Sequence, residues 1–291
     1  MGDKEDSKKN LATLLVTCPD RKGLVSALAQ TLHGHGANIL ESVQHVDRHA
    51  QRFFQRILFD LTELHTDRLT LERGLGEVTE RFEMSTRLVY ANKRKRLALF
   101  VSKQEHCLYE LLLRTRSGEL NGDIAIIISN HEDLRPVAEQ FGIRYEVFSI
   151  TAENKSEVEE RERTLLEELD VDLVVLTRYM QILSKEFLSA YSGAVINIHH
   201  SFLPAFIGGK PYHQAHRRGV KLIGATAHYV TSDLDEGPII EQDVIRTSHA
   251  DSVGDLIRKG RHVEKQVLAQ AVTWQLEDRI LVYDNRTVVL K

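Results

Sequence analysis

Hydrophobic and polar positions in the first third of the chain change between the period of a strand and that of a helix. Four segments have the apolar runs or two-residue alternation of strands, at residues 11–17, 38–46, 53–61 and 85–90. Two segments have helical spacing, at residues 24–32 and 69–83. Gly34 and Gly36 are typical of the end of the first helix. The order strand–helix–strand–strand–helix–strand predicts a ferredoxin-like βαββαβ module over residues 11–92.

The rest of the chain alternates short apolar runs with amphipathic segments. Strands are predicted at residues 97–102, 124–129, 145–149, 173–176, 194–197, 225–230, 280–283 and 287–290. Helices are predicted at residues 105–116, 134–141, 156–169, 184–191 and 252–277. This alternation indicates a doubly wound, Rossmann-like α/β domain over residues 97–291, with ligands at the carboxyl ends of its strands. Asn130, Arg178 and Asn197 lie at or beyond such ends.

Composition and charge narrow the function classes. The 291 residues are 42% hydrophobic and 27% charged, which is ordinary for a globular protein of two domains. The net charge of −4 favours neither a nucleic-acid nor a membrane partner. The two cysteines lie in different predicted domains, so free thiols in a reducing cytoplasm are expected. We expect a disordered tail at residues 1–10 that is not a signal peptide, a basic linker at 93–96, and no membrane span.

Two separated runs place chemically useful side chains where strands end. They are VINIHHSFLP at 195–204 and HYVTSDLDEGP at 228–238. Asn197 and His199 are two residues apart, so both should leave the strand on one face, whereas tandem histidines on a strand point opposite ways. Asp235 follows the second strand in a loop. An amide, an imidazole and a carboxylate can together hold a water, a carbonyl oxygen and a proton. Taken locally, such an amide is more often a turn or cap residue, and such a carboxylate is more often a turn residue.

These runs resemble the signature of the formyltetrahydrofolate-dependent formyltransferase family. Within it the chain is most similar to the hydrolase branch, the formyltetrahydrofolate deformylases. Position 200 is His where the transferases usually have Pro, and the runs GGKPYHQA at 208–215 and RGVKLIGATAH at 218–228 are of the deformylase type. The first module resembles an ACT regulatory domain, and ACT domains have the ferredoxin-like fold. The resemblance extends over residues 11–291.

The resemblance implies roles for the residues at the strand ends. Asn197 and His199 would stabilise an oxyanion, and the catalytic carboxylate would be Asp235, as the base for water or as the group that orients His199. His228 is expected either beside that carboxylate or in the core. The role of His200 is open, with packing or a place behind the catalytic groups as the alternatives. The spacing of the histidines fits no zinc pattern, so no metal is expected.

The resemblance also implies where small molecules bind. Met180, Gln181, Leu183 and Thr231 would contact the pterin of a folate, in an apolar slot with few polar atoms. Amino-acid effectors, glycine or methionine, would bind the ACT module near three residues, Asp20, Gly23 and Asn38. Local sequence explains these three equally well as a cap and a glycine turn. No cofactor is expected, because the folate is the substrate.

The resemblance implies hydrolysis of 10-formyltetrahydrofolate to formate and tetrahydrofolate in the cytoplasm, with the formate serving purine synthesis or balancing one-carbon pools. A transferase with an amine acceptor, and a sensor without turnover, are the alternatives. The loop at 102–108 has charged and bulky residues where the phosphate-accepting transferases have a Gly/Ser/Asn-rich loop, which favours water as the acceptor. A homodimer or homotetramer is expected from the way ACT sheets associate.

Overall fold

The computed structural model describes residues 10–205 and 211–291, and these form two compact units. The first unit comprises residues up to Arg94 together with Asp278–Lys291, and the second comprises Lys95–Glu277. Residues 1–9 of the predicted tail lie outside the described residues. The last predicted tail residue, Asn10, is in a turn, and its carbonyl accepts a hydrogen bond from the backbone N–H of Leu61.

The first unit is an antiparallel sheet of order β2-β3-β1-β4 with two helices. Its strands are β1 (Leu11–Pro19), β2 (Asn38–Asp47), β3 (Arg52–Asp60) and β4 (Ser85–Tyr90), and its helices are α1 (Leu24–Gly34) and α2 (Arg68–Arg81). The sequence predicts one helical face of Leu24, Val25, Leu28 and Leu32. Leu24, Leu28 and Leu32 are buried in the core, whereas Val25 is 41% exposed and does not belong to the buried face. The predicted ferredoxin-like module is confirmed.

A short C-terminal hairpin also belongs to the first unit. It consists of β12 (Ile280–Tyr283) and β13 (Arg286–Val289). The Tyr283 hydroxyl donates to the Asp47 carboxylate, and Arg56 Nε donates to the Asp278 carbonyl at 3.0 Å. The second domain predicted at residues 97–291 therefore differs from the observed division after Glu277. These side-chain contacts join positions more than 200 residues apart, which no local pattern predicts.

The second unit is a seven-stranded mixed sheet of order β11-β10-β9-β8-β5-β6-β7. The strands are β5 (Lys95–Val101), β6 (Gly122–Ser129), β7 (Tyr145–Val147), β8 (Leu173–Leu176), β9 (Ala194–His199), β10 (Leu222–Tyr229) and β11 (Ile239–Arg246). The helices are α3 (His106–Ser117), α4 (Arg135–Phe141), α5 (Lys155–Glu168), α6 (Lys185–Ala190), α7 (Pro211–Arg218) and α8 (Val253–Leu276). β5 to β9 run parallel, and β10 and β11 are antiparallel to their neighbours. The doubly wound, Rossmann-like architecture is confirmed.

The sequence analysis did not predict α7 or β11. α7 is a short helix with only three buried residues among strongly polar ones, and β11 is an edge strand with half-exposed positions, so neither contains an apolar run long enough to stand out. Within residues 10–205 and 211–291, no helix combines the length and apolar character needed to cross a membrane.

Candidate active site

Strand register brings Asn197 and His228 together. β9 and β10 pair antiparallel with Asn197 opposite His228, and Asn197 Nδ2 lies 3.2 Å from His228 Nε2. His228 is 2% exposed, and its Nδ1 lies 2.9 Å from the carbonyl oxygen of Tyr229. Because a carbonyl only accepts, the proton of His228 belongs on Nδ1. Nε2 of the neutral ring can then accept one amide hydrogen of Asn197, which leaves the second amide hydrogen for another partner.

The loop after β10 returns Asp235 to the end of β9. Its Oδ2 lies 3.1 Å from His199 Nδ1, and its Oδ1 lies 3.7 Å from His228 Nε2, which is too long for a hydrogen bond. Asp235 has φ of +59°, a conformation in which Asp and Asn are the most tolerated residues after Gly. The hydrogen bond from His199 holds the pKa of the Asp235 carboxyl below its usual range. The carboxylate is therefore ionised at neutral pH and accepts the hydrogen bond of His199 Nδ1.

The second ring nitrogen of His199 is left without a partner among the described residues, and His199 lines a cavity. That nitrogen is Nε2, and the residue is 6% exposed. A buried polar atom without a partner is costly, so a ligand is the expected partner. His200 lines the same cavity, and its ring centroid is 5.3 Å from that of His199. The prediction that the two histidines point opposite ways is wrong, because β9 ends at His199 and the alternation of a strand does not extend to His200.

One cavity of about 640 Å³ contains all of these groups and the predicted folate contacts Met180, Gln181, Leu183 and Thr231. Met180 is 60% exposed, whereas Leu183 is 7% exposed. The loop between β8 and α6 is anchored by Ser102, whose hydroxyl accepts from the Met180 N–H at 2.9 Å and donates to Asn130 Oδ1 at 2.7 Å. Exposed apolar side chains over polar groups suit a flat heteroaromatic ring.

A second set of polar side chains in the cavity was missed by the sequence analysis. Glu264 of α8 is 1% exposed and accepts hydrogen bonds from His106 Nε2 at 2.8 Å and Tyr212 Oη at 2.5 Å. Arg178 Nε lies 3.5 Å from Glu264. We call Glu264, His106, Tyr212 and Arg178 the Glu264 cluster. The available signal was a carboxylate on the buried face of an amphipathic helix.

Metal-ligating atoms also meet at this cluster. Among the described residues, His106, Cys107 and Glu264 each offer one such atom within 4.8 Å of the others. Burial raises the pKa of the Cys107 thiol well above its ordinary value. A neutral thiol is a poor ligand. The expectation of no metal stays a prediction.

The predicted effector residues lie in the first unit. Gly23 precedes α1 with φ of +94°, a conformation that favours glycine. The backbone N–H of Asp20 donates to the Gln51 carbonyl at 2.9 Å, and Asn38 begins β2 and is exposed. Since α1 begins at Leu24, its N-cap is Gly23 and not Asp20. Effector binding at these residues stays a prediction.

Comparisons with known proteins agree with this architecture. A formyl transferase family model matches residues 95–272, and an ACT domain model matches residues 12–73. A formyltetrahydrofolate deformylase of Bacillus subtilis (strain 168) is 48% identical over 290 residues, which cover 99% of this chain and 97% of that protein.

Solved structures separate the hydrolase branch from the transferases. A formyltetrahydrofolate deformylase from Pseudomonas syringae pv. tomato superimposes with a TM-score of 0.92 and 45% identity, covering 97% of this chain and 94% of that one. A glycinamide ribonucleotide transformylase 1 from Symbiobacterium toebii gives a TM-score of 0.65 and 30% identity, covering 68% of this chain and 95% of its own. The chain therefore belongs to the formyltetrahydrofolate deformylase family, in which an ACT domain precedes a formyl transferase domain.

Proposed function

We propose that the protein hydrolyses 10-formyltetrahydrofolate to formate and tetrahydrofolate. The observation that carries the proposal is the buried Nε2 of His199, which has no partner among the described residues, on a ring hydrogen-bonded to an ionised Asp235 in the cavity that Asn197 also lines. Full-length similarity to proteins named for this deformylation supports the substrate.

In the proposed reaction the folate's pterin lies against the loop of Met180 and Leu183, and the formyl carbon lies near His199. Asp235 keeps the proton of His199 on Nδ1, so that Nε2 accepts a proton from the attacking water. The second amide hydrogen of Asn197 is donated to the developing oxyanion, while His228 holds the amide in place. The C–N10 bond then breaks, and His199 returns the proton to N10. Of the two roles considered for Asp235, this assigns it that of orienting group.

The test is release of formate from 10-formyltetrahydrofolate by the purified chain without an amine acceptor. The substitution Asp235→Asn keeps the size of the side chain but removes the charge that fixes the His199 tautomer, and we expect turnover to fall roughly 10²–10⁴-fold. Asp233→Asn is the matched control, because Asp233 is exposed in the same loop. Release that requires an added amine would make the protein a transferase, and normal turnover in Asp235→Asn would refute the mechanism.

Regulation and cellular context form a second part of the proposal. The ACT domain supports binding of a small effector, for which glycine and methionine are the candidates, near Gly23 and Asn38. We propose a homodimer or homotetramer that acts in the cytoplasm and supplies formate for purine synthesis. Size-exclusion chromatography with light scattering, and isothermal titration with each amino acid, test the oligomer and the effector separately.

A further inference from the structure

The Glu264 cluster is a buried group of charges that the proposed reaction does not use. Its four members come from four different elements: the start of α3, the residue after Thr177 that follows β8, the start of α7, and the middle of α8. All four line the cavity that contains His199. Burying a carboxylate and a guanidinium costs free energy unless both are well paired. The free energy of the cluster therefore depends on how these two charges are paired.

Both carboxylate oxygens of Glu264 accept hydrogen bonds, whereas the guanidinium of Arg178 has a donor without an acceptor among the described residues. Burial alone would raise the pKa of Glu264, but the hydrogen bond from His106 and the charge of Arg178 lower it to about 2. His106 and Tyr212 each donate to a different carboxylate oxygen. Arg178 lies 3.5 Å away, and its buried Nε makes no hydrogen bond to any described residue. Glu264 thus compensates the charge of Arg178 without using the planar fork of donors that a guanidinium offers.

The backbone at Arg178 is strained. Its φ is +65°, in the left-handed region that residues with long side chains seldom adopt. Asp235 also lines the cavity, and it too has a positive φ. Left-handed residues other than glycine persist where the surroundings enforce them, which is frequent at ligand sites. Arg178 combines such a backbone conformation with a place in the wall of the cavity.

The field of Arg178 reaches the side of the cavity next to His199. Burial, followed by the positive charge of Arg178, lowers the pKa of His200 to about 4. His200 is adjacent to His199, and its ring centroid is 6.3 Å from that of Tyr212. A neutral imidazole, His200, and a largely buried cation, Arg178, thus line the same cavity as His199.

The proposed reaction produces an anion in this cavity. Water contributes its oxygen to the formyl carbon, the C–N10 bond breaks, N10 takes one proton, and the second proton leaves as formic acid ionises to formate. A planar guanidinium pairs with a carboxylate through two parallel hydrogen bonds. We propose that Arg178, steadied by Glu264, is a binding site for a one-carbon carboxylate and receives the formate product. The ligand assignment rests on the proposed hydrolysis.

The test measures binding of ¹³C-formate to the whole chain by NMR line broadening at constant ionic strength. We expect Arg178→Gln to weaken binding roughly 10- to 100-fold, as the loss of charge-assisted hydrogen bonds does. Arg261→Gln is the matched control, because Arg261 lines the same cavity but is exposed and donates to Gln104 at 2.6 Å. It should change formate binding less than about twofold.

Further measurements separate a binding site from a structural ion pair. Arg178→Gln should retain binding of tetrahydrofolate, and a proportional loss of both ligands would overturn the proposal. If Arg178→Gln fails to fold by circular dichroism, Arg178→Lys keeps the charge without the fork, and undiminished formate binding in that variant would refute the site. If the protein hydrolyses the substrate but binds formate independently of Arg178, the formate site is refuted and the proposed function stands. If formate binding depends on Arg178 but no hydrolysis occurs, the proposed function is refuted and the site stands.

Discussion

Substitution of Glu162 by Gln should reduce the loss of unfolding free energy that occurs as the pH rises. Glu162 of α5 is 0% exposed, and its Oε2 has no hydrogen-bond partner among the described residues. The hydroxyl of Tyr179, in the loop between β8 and α6, lies 3.5 Å from Oε1. Burial and the neighbouring charge of Glu159 raise the pKa of Glu162 to about 8. The folded protein therefore holds a proton on Glu162 at neutral pH.

The magnitude follows from linkage. The ordinary pKa of this carboxyl is 4.5, so at pH 7 folding takes up a proton that the unfolded chain lacks. Because the folded pKa is raised, the stability it contributes is complete below pH 4.5 and is lost as pH rises towards about 8. The loss is about 1.4 kcal/mol per pH unit, or about 3 kcal/mol at pH 7. Gln does not titrate. A buried amide without an acceptor costs about 1–3 kcal/mol, but this cost is independent of pH.

The assay is urea unfolding of both proteins at pH 5, 6, 7 and 8. The single tryptophan, Trp274, is 7% exposed in α8, so its fluorescence reports unfolding of the second unit. We expect the unfolding free energy of Glu162→Gln minus that of the parent to increase by about 1.4 kcal/mol per pH unit up to about pH 8, because only the parent loses stability as the pH rises. Glu160→Gln, which removes an exposed neighbour paired with Arg163, should follow the parent. Parallel curves for Glu162→Gln and the parent would refute the reasoning.

Three further substitutions test the site and its support. Asn197→Ala should lower turnover roughly 10²–10³-fold with little change in folding, because it removes one oxyanion donor; an unchanged rate of formate release would contradict that role. Gly237→Ala would place a Cβ against the carbonyl of Tyr229 and displace the loop of Asp235, so we expect turnover to fall about 10²-fold, with Gly254→Ala as the control, where a Cβ makes only an ordinary contact of 3.6 Å with Ser252 Oγ. Gly260→Ala should lower the melting temperature, although helix propensity alone favours Ala by about 1 kcal/mol, because the added Cβ overlaps the Tyr212 hydroxyl; a higher melting temperature would refute that packing argument.

Local sequence was sufficient for the elements with a strong period. The predicted bounds of β4, β8 and β12 are those observed, because each is a short apolar or alternating run between clear breaks. The two-residue spacing of Asn197 and His199 predicted a shared face at the end of β9, and both residues line one cavity. The family and its hydrolase branch could also be recognised, because the motifs that distinguish it are contiguous in sequence.

Tertiary structure alone decided the contacts that turn those residues into a site. Cross-strand register, and not spacing, pairs Asn197 with His228. Glu264 is 158 positions from His106, and the hairpin that begins after Asp278 packs in the first unit, so neither partnership leaves a local pattern. Hydrophobic periodicity predicts which face of an element is buried, but not what that face meets. The sequence therefore determined the elements and the candidate chemistry, whereas long-range packing determined which charges are compensated and which remain available to a ligand.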